Sequence, residues 1–385
     1  MLLIVLSQLH LACRGFRFLA TRFLLTVSCL LVLTTESIAG ERLLYAIRHE
    51  SLQRFPDVVS TRIYSLDPDR GESKLVFSDE KAEIMLLPRR GMPGHPGEVL
   101  VSSKNQVFSH AVERRFNPGR WYASKASIYE LSINGSNRFK KIFDVLGEQS
   151  LSEVFVNPSG TKIGYINYLD QKTFIFIHET DGGRLLHKID VTKIFLDCFA
   201  SSVGWLPDGD RIFLTLDTGD VHMTSEQPYK QRGTYELSET GAKMAKLPEE
   251  KTSLPLRKDE WRFIEGPPQC LGGLPDGTYL FWDTIARKGP KGNEVRFILY
   301  RVNPAANSRT AIPLDITKGP RWFKVSHMAK HIAFTEKIYS KSGSYTWIEN
   351  LWIKNLASYG ENKIFTLDNV PFKGFHLGLV GWIQE

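Results

Sequence analysis

The sequence predicts an all-β protein: a six-bladed β-propeller with four antiparallel strands per blade, its ring closed by the C-terminal strand joining the first blade. Three observations predict it. A strand–Pro/Gly turn–strand unit recurs along the chain, a second two-strand unit follows each copy, and the last residues repeat an inner strand that the first blade lacks.

The composition allows this and excludes several alternatives. Of 385 residues, 42% are hydrophobic and 24% charged, a globular rather than a disordered balance. Aromatics at 11% favour sheets over a helical bundle. The 49 basic and 42 acidic residues leave a formal charge of +7, spread without a Lys/Arg block, so no nucleic-acid footprint is visible. Four cysteines without a C-x-x-C pair argue against a structural zinc site.

Residues 1–39 read as a signal peptide. Arg14, Arg17 and Arg22 precede the apolar run Phe23–Thr35, and Ser37-Ile38-Ala39 supplies small residues at cleavage spacing. The apolar run is too short to span a bilayer comfortably. A retained anchor is the alternative, since Leu2–Leu11 is also apolar and Cys29 sits within the segment. Cleavage would remove Cys13 and Cys29 and leave Cys198 and Cys270 in an exported compartment, where a disulfide is chemically allowed.

Residues 40–385 read as the propeller. The first unit stands clearest at Val154–Tyr165, Val203–Leu214 and Leu271–Phe281, each turning through Pro-Ser-Gly or Pro-Asp-Gly. Proline presets the first turn corner and glycine accepts the left-handed one. Degenerate copies are read at Ile84–Val101 and Phe323–Phe334. The second unit reads Ile63–Asp67, Ile128–Ser132, Phe174–Ile177, Thr234–Leu237, Ile298–Val302 and Asn350–Ile353. Each is followed by a polar turn and one more strand, at spacings of about 47–65 residues. Gly378–Ile383 copies Val203–Leu206 and supplies the missing inner strand of blade one, which removes a sheet edge.

The turn motif at Asn157–Tyr165, Leu206–Leu214 and Leu274–Phe281 resembles that of the TolB-like, WD-type six-bladed propellers of exported bacterial proteins, over essentially residues 42–385. That resemblance implies the architecture and a periplasmic or secreted location. It does not fix an activity, because such propellers serve as adaptors, binding modules, peptidase gates and enzymes. TolB carries a separate N-terminal α/β domain, for which the residues ahead of the first blade are expected to leave no room.

No G-x-S-x-G, H-E-x-x-H, P-loop or G-x-G-x-x-G is present, and no cofactor is expected. Asp67-Pro68-Asp69-Arg70-Gly71 carries Ser78 where a calcium loop needs its glutamate, which leaves a plain turn. In a four-stranded meander one face carries the tight turns and the other the longer connections, read here at about 48–61, 103–125, 216–231, 283–295 and 336–348. Loops on a rigid scaffold concentrate binding residues. The candidate ligand-binding set on that face is Arg48, His49, Arg114, Arg115, Arg120, Trp121, Tyr122, His222, Tyr345 and Trp347. Cations interleaved with aromatics suit an anionic glycan, a peptide carboxylate or an acidic protein. Arg120 beside Trp121 reads as a charge clamp with a stacking plate.

Two functions are open. The first is an exported, non-enzymatic propeller that binds a protein or an acidic glycan or peptide, with membrane contact only through an uncleaved N-terminal segment. The second is a metal-dependent carbohydrate-active enzyme, such as a lyase on an acidic polysaccharide, with His49, His110 and His222 as its candidate cluster. Cys198 and Cys270 are a candidate disulfide, offset by about four residues relative to their turns.

Overall fold

In the computed structural model of the chain, the strands form six separate antiparallel sheets. The structure describes residues 40–384 except 52–56, 80–98, 102–105, 118–119, 134–137, 148–152, 196–197, 218–230, 263–266, 291, 313–319, 327–329, 340–346, 357–360 and 370–374. The expected signal segment, with Cys13 and Cys29, lies outside the described residues.

Blade one holds β1 (Glu41–Ser51), β2 (Asp57–Leu66) and β3 (Ser73–Asp79). Blade two holds β4 (Val99–Val101), β5 (Val107–Asn117), β6 (Arg120–Leu131) and β7 (Phe139–Asp144). Blade three holds β8 (Glu153–Val156), β9 (Lys162–Leu169), β10 (Lys172–Glu179) and β11 (Leu185–Asp190). Blade four holds β12 (Phe199–Trp205), β13 (Arg211–Asp217), β14 (Gly233–Ser238) and β15 (Met244–Lys246). After a short helix α1 (Glu249–Thr252), blade five holds β16 (Glu260–Arg262), β17 (Gln269–Gly273), β18 (Tyr279–Gly289), β19 (Gly292–Asn303) and β20 (Ser308–Ile312). Blade six holds β21 (Pro320–Val325), β22 (His331–Tyr339), β23 (Trp347–Asn355) and β24 (Glu361–Asn369).

The last strand, β25 (Phe375–Gln384), pairs antiparallel with β1 from Glu41↔Gln384 to His49↔Phe375 and completes blade one. The expected closure is therefore formed. Each tight turn has its expected chemistry. Gly160, Gly209 and Gly277 donate to the carbonyls of Asn157, Leu206 and Leu274 at 2.9–3.0 Å, with glycine φ of 71–79°.

Successive strand residues point to opposite faces, so every blade has two apolar faces to cover. The described residues form six apolar clusters, and each lies between two neighbouring blades. An open row of six blades has five such interfaces; the sixth is the closing one. There Leu377, Leu379 and Trp382 of β25 pack with Ala333, Leu351 and Ile353 of blade six.

Polar pins cross the interfaces. Lys162 of blade three pairs with Glu239 of blade four, and Tyr279 of blade five donates to Glu236 of blade four. Between blades two and three, His178 stacks on Phe143 at 4.2 Å. Its Nδ1 bonds Gly183 O at 2.9 Å, and its Nε2 faces Tyr165 Oη at 3.3 Å. With Gly183 O accepting, Nδ1 carries a proton, and in the neutral ring Nε2 accepts from the tyrosine. Burial holds its pKa below the ordinary histidine value, with the Gly183 bond opposing. A depressed histidine pKa gives stability that is present above the unfolded value of about 6.5 and is lost as pH falls through the folded pKa. Melting temperature should therefore drop between pH 7.5 and pH 5, and His178→Phe should flatten that dependence; an unchanged slope would show that other groups cause it.

Three expectations are corrected. The degenerate copy read at Ile84–Val101 is displaced: Val99–Val101 is the inner strand of blade two, and its partner is β5. Ser102-Ser103-Lys104-Asn105 joins them without a Pro/Gly signature, while Pro93-Gly94 and Pro96-Gly97 mimic one upstream. The region 103–125 is therefore mostly strand rather than loop, as is 283–295. Cys198 and Cys270 are both thiols. They pack in different clusters: Cys198 against the blade three–four core and Cys270 within the blade four–five core. Burial pushes the Cys270 thiol up to about 12, which makes it an inert core group.

Candidate functional site on the long-hairpin face

The second strand of each blade leaves the tight-turn face and ends on the opposite face. How far each hairpin climbs there differs between blades. In blade five, β18 and β19 pair as far as Gly289↔Gly292, and in blade two β5 and β6 pair as far as Asn117↔Arg120. Blade three stops early, at Leu169↔Lys172. Its connection is only Asp170-Gln171, with φ of 52° and 62°, the two left-handed corners of a tight hairpin turn.

The blade-two hairpin outruns its neighbours. The inner strand β4 pairs only Val107–Ser109, and β7 pairs only Ser127–Leu131. Residues 110–126 thus continue as a two-stranded ribbon carrying Arg114, Arg115, Arg120 and Lys125 against one acid, Glu113. The register pairs Arg114↔Ala123, Arg115↔Tyr122, Phe116↔Trp121 and Asn117↔Arg120. The expected clamp-and-plate pair, Arg120 and Trp121, occupies the first two positions of β6.

Arg48 and His49 lie at the same end of blade one, where β1 pairs both neighbours. Arg48 stands opposite His376 and Thr61, and His49 opposite Phe375 and Ser60. His376 and Phe375 escaped the sequence reading because the terminal repeat becomes visible only at Gly378. Trp347 begins β23 opposite Tyr339. His222 and Tyr345 lie outside the described residues, as does most of the 216–231 connection.

Blade five carries the best-defined charge array. The short strand β16 continues the inner edge of β18 beyond β17, pairing Glu260↔Arg287 and Arg262↔Ile285. Arg262 Nε donates to Asp283 Oδ2 at 3.0 Å, Arg296 pairs with Glu260, and Arg287 Nη2 lies 2.6 Å from Glu294 Oε2. All six residues occupy one face of the sheet, the face whose inner part packs on blade four. Burial raises the Asp283 pKa above its ordinary value, with Arg262 opposing. Three cations matched by three anions compensate each other, so this array stiffens the hairpin and offers little net charge to a ligand. β16 and α1 were not foreseen, because nothing in Glu260-Trp261-Arg262 alone marks a strand.

The β7–β8 connection and the end of β9 together form a small exposed apolar platform. Leu146 and Tyr168 are 42% and 44% exposed. Their backbone is held from beneath: Leu146 N–H donates to Tyr165 Oη at 2.9 Å, and Leu146 O accepts from Asn167 Nδ2 at 2.8 Å. Asn167 Oδ1 accepts the Tyr168 N–H at 2.9 Å. Gly147 completes the contact with φ of 101°, and a Cβ there would lie 2.6 Å from Tyr168 O.

Among the described residues no group of three or more His, Cys, Asp or Glu side chains could hold a metal ion. Asp67 Oδ1 accepts from the N–H groups of Asp69 and Arg70 at 2.9 and 3.0 Å, which makes the 67–71 segment a turn. No helix among the described residues is long and apolar enough to cross a membrane.

No protein-family model matches the sequence, and no curated protein matches it. Solved structures do resemble the fold. TolB from Acinetobacter baumannii is 10% identical, with 88% of this chain and 66% of that one covered and a TM-score of 0.46, so the chain spans about two thirds of TolB. A chain of a nidogen/laminin complex is 11% identical over 88% of this chain and 97% of that one, with a TM-score of 0.47. An oligogalacturonate lyase in complex with manganese is 9% identical over 83% and 78%, with a TM-score of 0.42.

Proposed function

We propose that this chain is an exported, non-enzymatic propeller that binds a protein or an anionic polymer through its long-hairpin face. The blade-two ribbon carries the reading. It extends past both flanking strands, bears four Lys/Arg residues against one acid, and sets Arg115 opposite Tyr122 and Asn117 opposite Arg120 in register. A two-stranded ribbon that runs on past both flanking strands costs backbone entropy without the ladder bonds of a third strand. A ligand that uses its cations and aromatic faces would return that cost. The N-terminal signal pattern supports export.

The test is binding of the full chain to immobilised glycans and peptides, with the variant Arg115→Glu/Arg120→Glu alongside. Both positions lie on the ribbon beyond β4 and β7, so the melting temperature should hold. Affinity for an anionic ligand should fall ten- to a hundredfold, about 1.4–2.8 kcal/mol. Wild-type affinity should also weaken as salt rises from 50 to 500 mM. Equal binding by the variant would remove the ribbon from the site. Stoichiometric metal in the purified protein, with cleavage of polygalacturonate, would replace the binding reading by the lyase one.

A further inference from the structure

We infer that the seam between blades five and six, at the long-hairpin face, is a binding site for a lysine side chain presented by a polypeptide partner. The site goes beyond the blade-two ribbon and shares no residue with it. The inner part of the seam is a packed aromatic layer. Trp282 of blade five stands 5.5 Å from Phe323 of blade six, Phe323 stands 6.0 Å from Phe334, and Phe334 stacks on Trp352 at 6.3 Å. Leu280, Leu299 and Ile332 belong to the same cluster, which identifies the two sides that face each other. One pleat further toward the long-hairpin face, alternation brings Thr284 after Trp282 and Glu336 after Phe334 onto those sides. The seam thus changes from aromatic to polar at one level. Ile338 and Ile348, paired across β22 and β23, stand one pleat beyond Glu336, and Ile348 is 39% exposed.

Both polar groups are buried, and each keeps an atom without a partner. Thr284 is 3% exposed, and its Oγ1 makes no hydrogen bond. A buried hydroxyl left unpaired costs about 1–3 kcal/mol, and a ligand donor would remove that cost. Glu336 is 8% exposed. Its Oε2 accepts from Asn350 Nδ2 at 3.0 Å and from Trp352 Nε1 at 3.2 Å. Asn350 Oδ1 accepts from Thr366 Oγ1 at 2.9 Å, which fixes the direction of the amide. The carboxylate is therefore preorganised, and its Oε1 has no hydrogen-bond partner among the described residues. The nearest cation along β18 on the facing side is Lys288, four residues past Thr284 or about 13 Å at the rise of a strand. Arg262, Arg287 and Arg296 lie on the opposite side of blade five with their own acids. The seam is thus negative, and its ligand carries a cation. The open atoms choose which one. A guanidinium pairs best as a fork on both carboxylate oxygens, but Oε2 is already taken twice. An ammonium is compact and has three donors, so one N–H can go to Oε1 and another to Thr284 Oγ1. Phe297, the cross-strand partner of Thr284, adds a ring at the same level. The acid sits one pleat, about 7 Å, behind the Ile338–Ile348 rim, which is the reach of a lysine stem. The partner's backbone then stays outside, against the exposed Ile348.

The test measures binding of the full chain to fluorescent 12-residue peptides with a central lysine between apolar residues. The same peptides with arginine, acetyl-lysine or norleucine at the centre run alongside, with n-butylammonium as the free amine. The lysine peptide should bind about tenfold more tightly than each of these, the worth of one charge-assisted hydrogen bond. Glu336→Gln keeps the shape of the side chain and should abolish the preference. Thr284→Val should weaken lysine binding while the melting temperature holds or rises, because it removes an unpaired buried hydroxyl. A purely structural hydroxyl would move the melting temperature alone. The ribbon variant Arg115→Glu/Arg120→Glu should keep the lysine preference, which separates this site from the ribbon. Equal binding of the lysine, acetyl-lysine and norleucine peptides would overturn the site, and so would full lysine preference in Thr284→Val and Glu336→Gln. Arginine bound as tightly as lysine would overturn the choice of ammonium. Butylammonium bound as tightly as the lysine peptide would overturn the polypeptide partner.

Discussion

Deleting residues 375–385 should abolish the folded propeller, yielding protein that aggregates or elutes as an expanded chain without a cooperative melt. The removed strand pairs with β1 over nine registered positions and fills two inter-blade clusters at once. Leu377, Leu379, Val380, Trp382 and Ile383 are all buried. Trp382 also donates from Nε1 to Lys324 O of blade six at 2.9 Å, and Leu377 N–H donates to Glu349 Oε2 at 2.7 Å. The deletion therefore uncovers the inner edge of β1, opens the ring and exposes both apolar faces of blade one. Total stabilities of single domains run at about 5–15 kcal/mol, and loss of one buried tryptophan costs about 3–5 kcal/mol. A point variant gives the graded form of the result. Trp382→Ala should lower stability by about that amount in denaturant unfolding, the larger end reflecting a carbonyl of Lys324 left without its donor. A truncated chain that stays monomeric with an unchanged melting temperature would show that β25 is not the closing strand.

The second large effect is expected at blade five. Arg262→Met leaves Asp283 buried without its cation, a change that costs about 3–5 kcal/mol in comparable buried pairs. The Asp283 side chain is 5% exposed and that of Arg262 22%, so solvent screens the pair little. A pH series separates the charge from the lost packing. Burial already raises the Asp283 carboxyl, so in the folded chain its contribution to stability is full below the unfolded pKa of about 3.9 and is lost as pH rises through the higher folded value. Removing Arg262 raises that value further. The variant's deficit should therefore be small in acid and grow as pH rises toward 7. Arg262→Met/Asp283→Leu should recover most of the stability, because Ile285 and Ile298 already line that face. A deficit of equal size at pH 4 and pH 7 would assign the effect to packing alone.

Much of the ring was legible in the sequence because its signals are local. Strand alternation, the Pro-Asp-Gly turns and the terminal copy at Gly378–Ile383 each depend on residues within a few positions, and β12–β13, β17–β18 and β25 form where those patterns stand. The displaced copy in blade two shows the limit: residues 102–105, between β4 and β5, hold no Pro or Gly, while Pro-Gly pairs upstream mimic the repeat's turn.

The candidate site was legible only as a face of the ring and a list of residue types. Which residues act together there depends on strand register, and a single step of register moves a side chain to the opposite face. Register sets Arg115 opposite Tyr122 and Phe116 opposite Trp121. Sequence distance also hides His376, placed opposite Arg48 by strands from the two ends of the chain. The strand character of Glu260–Arg262 comes from the neighbouring edge of β18, and the platform at Leu146 and Tyr168 comes from hydrogen bonds between blades two and three. The sequence by itself determined the number of blades, their strand order and the closure, since these follow from short-range pattern. Only the tertiary structure decided hairpin height, the shared face of the blade-five charges, the state of the two thiols and the exposure of Leu146 and Tyr168, because each is set by contacts between residues far apart in the chain.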